Sequence, residues 1–107
     1  MAKYQFITNK DMSEERIQEL RWLCFQYGEM KADPARVKVC GAIDDCIRRV
    51  TQESVGLESY LRMYVITRGC TFAVLMRKGM PCAHGMFYKI RSAFFSALDA
   101  ELKTRYK

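Results

Sequence analysis

A short apolar run, Thr71-Phe-Ala-Val-Leu-Met-Arg-Lys78, breaks at Gly79-Met-Pro-Cys82 and gives way at once to a longer run from Ala83 to Leu102. No other stretch narrows the choice of fold so far. Thr71 can cap a helix by accepting a backbone N–H, and Gly79 can take the left-handed conformation that ends one. Pro81 disfavours a helical Met80, so the chain must turn before it can coil again. In the second run Phe87, Ile90, Phe94, Leu98 and Leu102 recur at steps of three and four, the stripe of a helix packed on others. A helix, a tight Gly-containing turn and a longer helix are therefore expected, a helix-turn-helix spanning about 71–102.

The rest of the chain has helical periodicity too. Asp11-Met-Ser-Glu14 has the spacing of a capping box, with Asp11 and Ser13 as cap residues. Ile17, Leu20, Leu23, Cys24, Tyr27 and Met30 then mark one face of a helix over roughly 13–31. Asp33-Pro34 is a start signal, a capping carboxylate before a proline at the first helical position. Val39, Cys40, Ile43, Cys46, Ile47 and Val50 form the stripe of that second helix. Its wet side offers Asp44–Arg48 and Asp45–Arg49 as i,i+4 pairs. These arginine partners argue against reading the two aspartates as a metal or acid/base site. After Ser54–Gly56, the run Leu57, Tyr60, Leu61, Tyr64, Val65 predicts a third helix ending near Gly69, with Tyr64-Val-Ile-Thr67 open to an extended alternative. The expectation is one all-α domain over residues 1–107, a compact bundle of about five helices.

At 107 residues, half of them hydrophobic, the chain can bury a single core. No apolar run reaches the roughly 18 residues that span a bilayer, and the N-terminus lacks a secretory signal, which points to the cytoplasm. Cys24, Cys40, Cys46, Cys70 and Cys82 are scattered without a Cys-x-x-Cys pair, and His84 is the only histidine. A zinc ligand set is not expected, nor any cofactor. The cysteines read as packing residues, with Cys82 in the turn the one expected to be exposed.

Charge is unevenly placed. Of the formal +6, residues from Arg77 onward hold 7 − 2 = +5 (Arg77, Lys78, Lys89, Arg91, Lys103, Arg105 and Lys107 against Asp99 and Glu101). A basic helix-turn-helix is the footprint that phosphate binding requires. Beside the apolar stripe the last helix carries His84, Tyr88, Lys89, Arg91, Ser92 and Phe95. Lys and Arg can bond guanine or phosphate, while Ser and Tyr can bond phosphate oxygens. These residues, with Lys78 at the turn, are the expected duplex-DNA contacts: Lys78 on phosphate, Lys89 and Arg91 along the groove, and Tyr88, His84 and Ser92 beside them. The same spacing also fits two helices of an ordinary bundle, with Lys89 and Arg91 merely solvated.

The segment from Met80 to Leu98 resembles the end of small phage and prophage helix-turn-helix regulators, including ArpU- and RinA-type late-transcription activators and regions like sigma factor region 4. The resemblance rests on an apolar turn, the aromatic pair Phe87-Tyr88, Arg91 followed by Phe95, and Leu98. It covers about a third of the chain. It implies a DNA-binding transcription regulator of a phage or mobile element, with a homodimer to match paired half-sites. Where such regulators commonly open the second helix with Ser or Thr, this chain has Ala83-His-Gly-Met86, which favours phosphate contact over base reading.

Two other classes of function bear comparison. Catalysis is not expected, because no Gly-rich phosphate loop, Ser/His/Asp set or second histidine is present. The rival is a phage-type protein that binds a host protein, such as RNA polymerase or a nucleic-acid-guided defence nuclease that it inhibits. Met76, Met80 and Met86 near the turn would supply its adaptable contact surface.

Overall fold

The computed structural model describes residues 12–105, and within them every regular element is helical. The elements are α1 (Glu14–Phe25), α2 (Tyr27–Lys31), α3 (Val37–Val50), a 3-10 turn (Val55–Leu57), α4 (Glu58–Ile66), α5 (Phe72–Arg77) and α6 (His84–Arg105). The all-α class stands. No described helix is long and apolar enough to cross a membrane.

Local chemistry sets most of the boundaries. Ser13 caps α1 by accepting the Arg16 N–H at 3.1 Å, while Asp11 lies outside the described residues. The single helix expected over 13–31 is two helices, because the chain bends at Gln26 (φ −90°, ψ 8°). The bend turns Tyr27 toward α3, where its hydroxyl donates to Asp44 at 2.9 Å, and it sinks Met30 fully into the core. Asp33 does act as a cap, but of a turn: its carboxylate accepts the Ala35 N–H at 2.9 Å, and α3 begins only at Val37. Pro34 is therefore not the first helical residue. The stretch 64–67 is helical through Ile66, and only Thr67 is extended. Gly69, at φ +78°, lies in the turn past α4, a turn that the Cys70 N–H closes by donating to Thr67 O at 3.3 Å.

The core is one cluster in which α3 and α6 are the principal pair, with α1 and α4 closing its sides. Ala42, Ile43, Cys46 and Ile47 of α3 and Ala93, Phe94 and Leu98 of α6 are fully buried. Phe95, placed by the sequence on the outer side of α6, is 1 % exposed. The wrap of α1 over α6 covers that side as well, so the buried arc of α6 is wider than one stripe. Met80 is likewise core at 3 % exposure, leaving Met76 and Met86 as the exposed methionines near the turn.

Three salt bridges among the described residues join different helices, Arg16–Asp99, Arg49–Glu101 and Arg62–Asp44, beside several local i,i+3 and i,i+4 pairs. Asp44 is claimed by Arg62 of α4 at 2.6 Å, and Arg49 reaches Glu101 of α6 at 3.4 Å. Arg48 pairs with Asp45 at i,i+3 spacing. The expected Asp44–Arg48 pairing gives way because Arg62 approaches from a helix that packs directly on α3.

Candidate nucleic-acid interface

α5 starts under the Thr71 hydroxyl, which accepts the Val74 N–H at 3.2 Å. It ends in a Schellman motif: the Met80 N–H bonds Leu75 O at 3.1 Å, the Gly79 N–H bonds Met76 O at 3.0 Å, and Gly79 has φ +93°. Residues 78–83 then carry the chain to α6, whose first turn closes with Phe87 N–H to Ala83 O. Phe72 holds the two helices together, with its ring 4.8 Å from His84, 5.6 Å from Phe87 and 6.4 Å from Tyr88. Tyr60 of α4 steadies the turn by donating to Lys78 O at 3.3 Å.

Each residue advances about 100° around a helix, so His84, Tyr88 and Ser92 share one side of α6 and Gly85 and Lys89 adjoin them. His84, Gly85, Met86 and Lys89 are exposed, and Tyr88 and Ser92 are half-buried. The first two turns of α6 therefore present a continuous outer surface broken only by the inward Phe87 and Ile90. Lys78 is exposed at the turn.

Lys89 and Arg91 do not lie together along one groove-facing side, as their place in the sequence suggests. Two residues apart on a helix, they point about 200° apart. Lys89 borders a groove lined by Val50, Glu53, Ser54, Met86 and Ile90. Arg91 turns the other way, toward α1 and α4. Its Nε donates to the Tyr64 hydroxyl at 2.9 Å, and its guanidinium lies 5.4 Å from the Tyr88 ring and 5.3 Å from that of Phe95. It is a clamped side chain rather than a free one.

Sequence reasoning passes over what surrounds Arg91. Arg21 of α1 also donates to the Tyr64 hydroxyl, at 2.8 Å, and Arg68 lies over the Trp22 ring at 4.3 Å and the Phe25 ring at 5.8 Å. Rings and guanidinium groups thus run without interruption from His84 through Tyr88, Arg91, Tyr64 and Arg21 to Phe25 and Arg68. The sequence does hold a signal: no carboxylate side chain occurs between Glu58 and Asp99, while Arg62, Arg68, Arg77, Lys78, Lys89 and Arg91 do. Of these six, Arg62 alone has a carboxylate partner among the described residues.

The fold and this surface define an all-helical domain with a basic and aromatic side, on which Glu53 lines the groove beside Lys89 and Glu14, Glu15 and Glu19 of α1 border Trp22. Compared with protein-family models, with curated proteins and with solved structures, the chain matches none of them.

Proposed function

We propose that the chain is a DNA-binding transcription regulator of a phage or mobile element, and that α5, the turn and α6 act as a helix-turn-helix on duplex DNA. The observation that carries this reading is the carboxylate-free stretch from 59 to 98, which coincides with the exposed first two turns of α6. Duplex DNA presents one negative charge for every ~1.7 Å of its axis, so acidic side chains at a contact surface would be repelled. Exposed Lys78 and Lys89 would meet phosphates, and Tyr88, Ser92 and His84 lie where they could bond backbone or base edges. Arg91, held by Tyr64, would contact the backbone from the flank of α6.

The test is fluorescence anisotropy of a labelled random-sequence duplex titrated with protein at low and moderate salt. Binding should weaken steeply as salt rises. Lys78→Gln with Lys89→Gln should lower affinity and flatten the salt slope by about one for each phosphate left without its cation. Undetectable binding at low salt sinks the proposal.

A second reading has a specific observation of its own. Met76 and Met86 are 46 % and 49 % exposed on either side of the turn, an adaptable apolar pair suited to a host protein such as RNA polymerase or a nucleic-acid-guided nuclease. Binding that resists salt would favour that partner over DNA.

A further inference from the structure

We infer that Arg21, Arg68 and Arg91, gathered around Tyr64 and its aromatic neighbours, form a clamp for a phosphate group. On the DNA-binding reading, on which this assignment of the ligand rests, that phosphate belongs to the backbone beside the first turns of α6.

The geometry is unusual for a purely structural cluster. Tyr64 is 4 % exposed, and its single phenol oxygen accepts from Arg21 Nη1 at 2.8 Å and from Arg91 Nε at 2.9 Å. Two guanidinium groups are thereby brought side by side, although like charges repel. A third, Arg68, is linked to them through the Phe25 ring, which it approaches at 5.8 Å and Arg21 at 5.7 Å, and it lies over Trp22 at 4.3 Å. None of the three has a carboxylate partner among the described residues, whereas Arg16, Arg36, Arg48, Arg49 and Arg62 all do. Ring faces attract the cations but carry no net charge to cancel them. An oxyanion would.

The donors suit phosphate in particular. Each arginine offers five N–H groups in a planar fork, and the Tyr64 bonds use one donor atom on each of Arg21 and Arg91. The remaining donors are held in place by a buried phenol and by rings, so little side-chain freedom is left to lose on binding. The cluster adjoins α6 through Arg91 and Tyr88, where a backbone phosphate would lie if α6 entered the groove.

The experiment pairs two probes on the full chain and on Arg21→Gln and Arg68→Gln. Arg68 is exposed, so its variant keeps the test valid if Arg21→Gln proves less stable. Inorganic tripolyphosphate at matched ionic strength should raise the melting temperature of the wild type by about 2–5 °C and that of the variants much less. With the random-sequence duplex, each variant should bind more weakly, with a salt slope flatter by about one. Variants that bind duplex with unchanged affinity and slope overturn the clamp while leaving the DNA-binding reading intact. If the wild type binds no duplex, that reading fails by itself. Tripolyphosphate stabilisation that disappears in Arg68→Gln would then point to a free phosphate ligand, and no stabilisation of the wild type would overturn the clamp as well.

Discussion

Arg16 Nε on α1 donates to Asp99 Oδ1 on α6 at 2.7 Å, joining the first and last described helices across 83 residues of sequence. Burial pushes the Asp99 carboxyl up, but the hydrogen bonds from Arg16 and Lys103 outweigh it and hold the group below the usual carboxylate range. A carboxyl group depressed in the folded state stabilises that state at pH values above its unfolded value of about 3.9, and the contribution is lost as pH falls through the folded value. Wild-type stability should therefore fall on acidification below about pH 4, and Asp99→Asn should fall less over the same window. Arg16→Ala should cost about 1–2 kcal/mol at neutral pH, discounted from a fully buried pair because Arg16 is one-third exposed. Urea melts across pH check both.

The two glycines flanking the α5–α6 turn should respond oppositely to alanine. Gly79 has φ +93°, and the nearest atom to an added Cβ is the Tyr60 hydroxyl at 3.9 Å, an ordinary contact. The penalty of Gly79→Ala is therefore one of backbone conformation, about 1–2 kcal/mol. Gly85 is helical with open space around its Cα, so Gly85→Ala should stabilise by up to ~1 kcal/mol. Thermal or urea unfolding of the pair decides; a destabilised Gly85→Ala would contradict the assigned helix start.

Features fixed by local chemistry were legible in the sequence. Thr71 and Gly79 announce helix ends through capping and positive φ, Gly69 marks only the turn beyond one, and Phe87, Ile90, Phe94 and Leu98 announce a buried stripe through spacing alone. What escaped depends on which helices meet. Gln26 carries no breaker chemistry, and the bend there follows from the docking of Tyr27 and Met30 on α3. Asp44 has Arg48 one turn along its own helix, but Arg62 of α4 supplies the guanidinium that it bonds. The candidate site divides in the same way. His84, Tyr88, Lys89 and Ser92 are placed by the α6 turn alone, whereas Arg21, Arg68 and the clamped state of Arg91 require α1 and α4 to close over α6. No spacing rule joins residues 21, 64 and 91.

Thiol reactivity should separate Cys82 from the other cysteines. Burial pushes the Cys24 thiol up to about 12, with the neighbouring Cys46 adding to the rise, and Cys40 and Cys70 are raised by burial as well. Cys82 is also raised, but it alone is half-buried rather than buried. Since the thiolate reacts and must be reached, Ellman's reagent at pH 8 should modify one thiol well ahead of the rest. Cys82→Ser should remove that phase and leave the remainder to appear only on unfolding.

Lys89 and Arg91, two residues apart, should differ in what their removal does to the fold. Lys89 is exposed and has no ion pair among the described residues, so Lys89→Ala should leave stability within about 0.5 kcal/mol of wild type. Arg91→Ala removes a hydrogen bond to a buried phenol and ring contacts with Tyr64, Tyr88 and Phe95, an expected destabilisation of about 1–2 kcal/mol. Tyr64→Phe keeps the ring but removes the acceptor that Arg91 shares with Arg21, so it should cost both hydrogen bonds and none of the ring contacts. A double-mutant cycle between positions 64 and 91 measures the coupling directly. On the proposed function both Lys89→Ala and Arg91→Ala weaken duplex binding, yet only Arg91→Ala also lowers the melting temperature. Equal destabilisation at the two positions would mean that Arg91 is not held as the geometry has it.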